Sequence, residues 1–216
     1  MGTWYETFRE HLHPIFNSED FFDYKRSTLN DLKIYGKYIP PNGRVLDLGC
    51  GLGTTAVPLS VLGYTVTGID RDNKVVEAAR ENAKNFGDRI EIIEGDIFDL
   101  NKIFEKDSYD ACISGGVLEH FDKEDIRKLV DMQKEIAPVL LIDVPVKTDR
   151  TKSHYGFTES DALGHIDSNK IYRNFWSEDE WVNDILHGCN IVEHSIAPAD
   201  TSIGDFDMLY IVIKRN

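Results

Sequence analysis

Val45-Leu46-Asp47-Leu48-Gly49-Cys50-Gly51-Leu52-Gly53-Thr54 is the stretch on which the reading of this chain turns. An apolar run of strand length ends in three glycines at alternate positions, and helical spacing follows through Ala56, Leu59 and Leu62. Glycines at the carboxyl end of a first strand permit a tight turn and let the backbone approach a ligand with no Cβ between them. Alone, the segment suits either a nucleotide-like ligand or a plain strand-to-helix turn. No Gly-Lys-Ser/Thr follows it, so it is not a phosphate loop of that kind.

Outward from this turn, short β-rich runs alternate with longer segments of helical spacing, the pattern of a mostly parallel sheet covered by helices. Seven strands are predicted, at Arg44 to Leu48, Thr65 to Ile69, Ile90 to Glu94, Tyr109 to Ser114, Val139 to Val144, Ile191 to Ile196 and Met208 to Ile213. After the second, Val75, Ala79, Ala83 and Phe86 recur at helical spacing, with Asp72 to cap the start and Gly87 to stop it. Ser177 with Glu180 forms a capping box, and Trp176 and Trp181 stand where a hydrophobic staple packs. Asp122 with Phe121 and Ile126, and Asn17 with Phe16 and Phe21, repeat that arrangement. The stretch Lys147 to Phe175 has no clear periodicity, and loops of that length in compact domains are commonly lids or binding loops. We expect a substrate-side cover there.

Asp70 closes the second strand, 21 residues after Gly49, where a carboxylate is able to accept from both hydroxyls of a ribose. A dinucleotide fold places an acid there too, but wants a glycine where Thr54 stands and carries no Asp47 within the first strand. The third strand ends Glu94-Gly95-Asp96-Ile97, and the fourth runs from Tyr109 through Ser114-Gly115-Gly116-Val117-Leu118-Glu119-His120-Phe121. With these four motifs in order, Gly43 to Val144 closely resembles the class I S-adenosylmethionine-dependent methyltransferases.

That resemblance implies an α/β fold, a Rossmann-like three-layer αβα sandwich on a seven-stranded, mostly parallel sheet with an antiparallel last strand. It implies S-adenosylmethionine as cofactor. Gly49, Cys50, Gly51 and Gly53 would form the loop under its methionine part, and Asp47 would help hold its amino group. Asp70 would take the ribose hydroxyls with Arg71 beside the adenine. Asp96 would accept from the adenine amino group, Ile97 would offer a backbone amide and an apolar face, and Ser114 with Gly115 would line the sulfonium side. For each acid the alternative reading is a helix cap or a solvated loop residue.

Members that methylate amino groups of bases or glutamine carry an Asn/Asp-Pro-Pro-aromatic turn after the fourth strand, and cytosine-C5 enzymes carry a Pro-Cys nucleophile. This chain has Ser114-Gly115-Gly116-Val117 and no Pro-Cys pair. It resembles instead the small-molecule branch, in which Glu-x-x-Glu-His is common at this place and in some members binds a divalent metal. Gly116 replaces the first Glu, so no metal is expected. Glu119 and His120 remain as the catalytic candidates, His120 as acid, base or substrate contact, with a structural pair at a helix start as the alternative.

His165, Tyr155 and Tyr172 are candidates for the acceptor pocket, and Arg173, Phe175, Trp176 and Trp181 more loosely resemble the tail of that branch. Trp4, Tyr5 and Phe8 are read as a lid over the cofactor or a helix on the sheet edge. The chain then divides into an N-terminal helical segment (1–42), a cofactor-binding half (43–144) and an acceptor-side cover with the last strands (145–216).

Composition bounds the partners. With 38 acids, 24 bases, a net charge of −14 and 41% hydrophobic residues, the 216-residue chain folds unaided and lacks the basic face of a nucleic-acid binder. Between Asp143 and Asp207 stand 13 acids and 5 bases, so over half of the excess lies in the cover. Acidic surfaces repel polyanions and attract amines, and Lys147, Arg150 and Lys152 cluster where they would meet a carboxylate or phosphate, but the first reading of this charge is a solvated acidic exterior. Cys50, Cys112 and Cys189 are too scattered for a redox pair, the start carries no leader or acylation signal, and the longest apolar run, Ile136 to Ile142, is far short of a membrane span. We therefore expect a cytoplasmic protein acting on a small-molecule acceptor, with no nucleic-acid or membrane partner. Two rivals use the same fold, an aminopropyl transferase and a non-catalytic binder of S-adenosylmethionine or S-adenosylhomocysteine.

Overall fold

A computed structural model describes residues 34–84, 86–168, 170–199 and 204–215. The readings of Trp4, Tyr5 and Phe8 and of the Asn17 cap with Phe16 and Phe21 lie outside these residues.

Apolar runs become strands in chain order: β1 (Arg44–Leu48), β2 (Thr65–Asp70), β3 (Ile90–Glu94), β4 (Ala111–Gly115), β5 (Val139–Pro145), β8 (Ile191–Pro198) and β9 (Asp207–Lys214). They form one sheet in the order β3-β2-β1-β4-β5-β9-β8. β1 to β5 are parallel, and β9 runs antiparallel to both β5 and β8. Every residue of β1 after Arg44 is buried, as are the first four of β4, because central strands covered on both faces tolerate no polar alternation. The edge strands β3 and β8 are only partly buried.

The helices are α1 (Ala56–Val61), α2 (Asn73–Ala83), α3 (Leu100–Ile103), α4 (Lys123–Ile136) and α5 (Asp149–Tyr155). The Asp72 side chain accepts from the amides of Lys74 and Val75, and that of Asp122 from Asp125, so both acids cap as their sequence context predicts. Ser177 Oγ accepts from the Glu180 amide at 3.2 Å while Glu180 Oε2 accepts from the Ser177 amide at 2.8 Å, a reciprocal capping box. The stapled rings of Trp176 and Trp181 meet edge to face at 5.2 Å. Both tryptophans are fully buried with α4 and the β4–β5 face in one of two large apolar clusters; the other lies across the sheet.

The stretch predicted as aperiodic contains α5, capped by Thr148 and stopped by Gly156 at φ +73°, and a two-stranded hairpin, β6 (His165–Ile166) with β7 (Tyr172–Arg173). Neither was predicted, since about two helical turns and two-residue strands are too short to display a period. The cations Lys147, Arg150 and Lys152 are paired within the cover. Lys147 Nζ lies 3.4 Å from Glu180, Lys152 Nζ 2.7 Å from Glu159, and Arg150 bridges Asp205 and Asp207. Among the described residues, no helix is long and apolar enough to cross a membrane.

Candidate functional site

Sheet order reverses between β1 and β4, the switch point where open α/β sheets form a crevice at the carboxyl ends of their strands. The glycine turn leaves β1 at this point. Gly49, Gly51 and Gly53 have φ of +60°, +53° and +83°, conformations in which an L side chain is strained. A Cβ on Gly49 would sit 2.8 Å from Val117 Cγ2, so the turn after β4 packs directly against the glycine turn. The Gly53 amide donates to the Cys50 carbonyl and the Val57 amide to the Gly53 carbonyl, which starts α1.

Asp70 ties the second strand to this loop. Its Oδ2 accepts from the Gly51 amide at 3.2 Å and its Oδ1 from the Asp72 amide at 3.0 Å. Burial raises its pKa above the ordinary aspartate value, opposed by those amides. Asp47 is 3% exposed within β1. Burial, followed by the charges of Asp47 and Asp70, pushes the Cys50 thiol well up, so Cys50 is an unreactive packing group. Arg71 is exposed just past β2. Asp96 is exposed and caps the turn Ile97–Asp99 by accepting from the Phe98 amide, while Ile97 is buried. Ser114 is fully buried, and its Oγ has no hydrogen-bond partner among the described residues. Gly115 stands opposite Asp143 in the register, and a Cβ there would meet the Asp143 carboxylate at 2.9 Å. Tyr35 OH donates to that carboxylate. The predicted cofactor residues from the glycine turn through Gly115 thus collect at one edge of four adjacent parallel strands.

Glu119 and His120 lie on the turn Leu118–His120 that follows β4. Glu119 is fully buried; its Oε1 accepts from Arg173 at 2.9 Å, and its Oε2 is buried with no hydrogen-bond partner among the described residues. Arg173 Nε donates to Asp167 Oδ2 at 3.0 Å, and its guanidinium stacks over the Tyr155 ring at 5.3 Å. His120 places Nδ1 2.7 Å from the Tyr172 carbonyl and Nε2 3.5 Å from Glu119 Oε1. Burial lowers its pKa below the ordinary histidine value, against the opposing pull of Glu119.

Asn174 completes the junction. Its amide donates to the Glu119 carbonyl at 2.8 Å, its Nδ2 to the Phe121 carbonyl at 2.9 Å, and its Oδ1 accepts from Gly164 and Tyr172 OH. Sequence reasoning missed Asp167 and Asn174 and gave Arg173 no role; a charged residue inside the aromatic run Tyr172 to Trp176 was the available signal. Of the acceptor candidates, His165 is turned to the Tyr155 carbonyl, Tyr155 is packed on Phe175 and Phe206, and Tyr172 is 44% exposed. Among the described residues, no group of three or more His, Cys, Asp or Glu side chains is arranged to hold a metal ion.

Residues 45–140 match the family described as "Methyltransferase domain". The chain is 30% identical over 120 residues to the probable S-adenosyl-L-methionine-dependent methyltransferase TehB of Haemophilus influenzae, covering 54% of this chain and 41% of that protein. It is 32% identical over 112 residues to the ubiquinone biosynthesis O-methyltransferase of Rickettsia conorii, covering 51% and 37%. It therefore spans less than half the length of these curated relatives. Among solved structures, the magnesium protoporphyrin IX methyltransferase of Synechocystis PCC 6803, with bound SAH, superposes with a TM-score of 0.70 over 99% of this chain and 96% of that one, at 19% identity. With the glycine turn of β1, the acids ending β2 and following β3, and the β4 turn meeting at the switch point of this sheet, residues 45–140 are similar in sequence to the methyltransferase domain family, and the fold is that of the solved methyltransferase above.

Proposed function

We propose that the chain transfers the methyl group of S-adenosylmethionine to an O, N or S atom of a small-molecule acceptor and releases S-adenosylhomocysteine. The observation that carries this is the contact of the glycine turn with the β4 turn, which sets the predicted cofactor loop beside the turn that bears Glu119 and His120. The residues fit the cofactor. The Asp70 carboxylate accepts from the Gly51 and Asp72 amides on its two oxygens and has acceptor capacity left for a ribose hydroxyl. The left-handed glycines bring backbone to the crevice, and Ser114 offers a buried hydroxyl with no other partner described.

When bound, S-adenosylmethionine supplies an electrophilic methyl on a positively charged sulfur. The protein's task is alignment and exclusion of water. Asp47 and Asp70 would hold the two ends of the cofactor, Asp96 and Ile97 would border its adenine, and the cover carrying β6 and β7 would shield the acceptor side. For an acceptor that arrives protonated, His120 is the candidate proton acceptor, since burial holds its pKa below the ordinary histidine value and so favours the neutral ring. We read 43–144 as the cofactor half and 145–216 as the acceptor cover. The β4 turn, which lacks the Asn/Asp-Pro-Pro-aromatic sequence, and the O-methyltransferase relative favour a small acceptor.

The test is incubation with methyl-labelled S-adenosylmethionine and separated small-molecule, protein and RNA fractions of a cell extract. Label should enter the small-molecule fraction, and His120→Ala should slow transfer about 100-fold with the donor KM unchanged. Label confined to protein or RNA would overturn the acceptor class.

A further inference from the structure

In the branch this chain resembles, some members hold a divalent metal on Glu-x-x-Glu-His, and the β4 turn decides whether one fits here. The residues do not fit. A Cβ at Gly116 would lie 3.7 Å from Glu119 Oε1, so the position of the missing first Glu does face Glu119, yet Gly116 has no donor to offer. A guanidinium reaches Glu119 instead, from 54 residues further along the chain. We propose that Arg173 is the resident cation of this site, a tethered charge in the role that a divalent metal has on that motif, and that methyl transfer by this chain needs no metal. The statement about the cation stands on the geometry; the statement about transfer rests on the methyl-transfer reading.

The surroundings of the guanidinium are those of a cation site. Glu119 is fully buried, and a carboxylate taken out of water requires a positive partner. Arg173 Nη1 donates to its Oε1 at 2.9 Å, and Nε donates to Asp167 Oδ2 at 3.0 Å. The Tyr155 ring lies against the guanidinium at 5.3 Å. Two carboxylates and a π face thus converge on one positive charge.

A metal ion has no comparable set. Gly116 brings no ligand atom, His120 is turned to the Tyr172 and Gly116 carbonyls, and Glu119 already shares its charge with Arg173. A dication added beside that carboxylate would be repelled by the guanidinium bonded to it. Arginine also differs from a metal in being permanently charged and fixed to the chain. Because it stands on β7, the cation arrives with the cover and ties it to the β4 turn. Glu119 Oε2, buried with no hydrogen-bond partner among the described residues, is the oxygen left for a replacement cation once the guanidinium is removed.

Thermal unfolding of the full chain in EDTA, MgCl2 or MnCl2 reads the site without donor or acceptor. Wild type should unfold at one temperature in all three. Arg173→Ala leaves two carboxylates without their shared cation and should unfold about 5–15 °C lower in EDTA. Part of that loss should return with MnCl2 or with millimolar methylguanidinium chloride. Glu119→Gln combined with Arg173→Ala should lose both responses. Arg173→Lys, which keeps a tethered cation, should fold and ignore metal, and it carries the test if Arg173→Ala does not fold. With methyl-labelled S-adenosylmethionine and the small-molecule fraction, wild-type transfer should be equal in EDTA and in MgCl2.

Wild-type transfer lost in EDTA and restored by MgCl2 would overturn the proposal, as would wild-type or Arg173→Lys protein stabilised by metal through Glu119. Arg173→Ala protein indifferent to both MnCl2 and methylguanidinium would show that no cation site exists there. Absence of transfer under every condition would instead count against the methyl-transfer reading, while the unfolding shifts still decide the identity of the cation.

Discussion

Left-handed backbone at Gly49 costs little only because the residue is glycine. Alanine there meets two penalties together, the positive φ and a Cβ 2.8 Å from Val117 in the turn that carries Glu119 and His120. Gly49→Ala should lose about 1–3 kcal/mol in urea unfolding and weaken cofactor binding in proportion to the displacement of the turn. A variant as stable and as competent as wild type would show that the two turns do not depend on each other. Individual residues were legible where local chemistry dictates them: the glycines, Asp70 at a strand end, Asp72 and Asp122 as caps. Glu119 was legible as a candidate but not as the partner of Arg173, because nothing in a linear sequence pairs two charges 54 residues apart. The pairing of Lys147, Arg150 and Lys152 with Glu159, Glu180, Asp205 and Asp207 was not legible for the same reason, since these acids reach them only in the fold.

At the scale of elements, the segment after the cover is held at its start by a reciprocal pair, Ser177 with Glu180, and by two buried tryptophans. Ser177→Ala removes the acceptor for the Glu180 amide and should cost about 1 kcal/mol, a fall in Tm of about 2–4 °C for a protein of this size. Calorimetry reads it directly. No change would mean that the tryptophan packing alone fixes the segment. The central strands were legible because a strand buried on both faces must be continuously apolar, and Val139 to Val144 admits little else, whereas the edge strand β8 alternates between half-buried and exposed residues. The β6–β7 hairpin was not, since its position is set by Arg173 and Asn174 gripping the β4 turn and not by a pattern of its own.

Across the whole molecule, the excess negative charge that marks the sequence is concentrated in the cover, where five described pairs already join acids to Lys147, Arg150 and Lys152. In the sheet below, Asp70 ends β2, the strand beside β1, and is tied to the glycine turn through the Gly51 amide. Burial raises the Asp70 pKa, so its ionised form costs the ligand-free fold stability once pH rises through the folded value, and stability from this group is fullest below the unfolded value. Hydroxyls donated to the carboxylate offset that cost in the complex. Ligand affinity should therefore be full at neutral pH and fall as pH drops through the raised Asp70 value, at a higher pH than an ordinary aspartate would give.

The most direct measurement is titration calorimetry of S-adenosylhomocysteine into the wild-type protein and into Asp70→Ala. Saturable one-to-one binding is predicted for the wild type, with affinity reduced at least about tenfold in the variant, since each hydrogen bond to a charged group contributes about 1.5–3 kcal/mol. No heat of binding in the wild type, or equal affinity in the two proteins, would contradict the account.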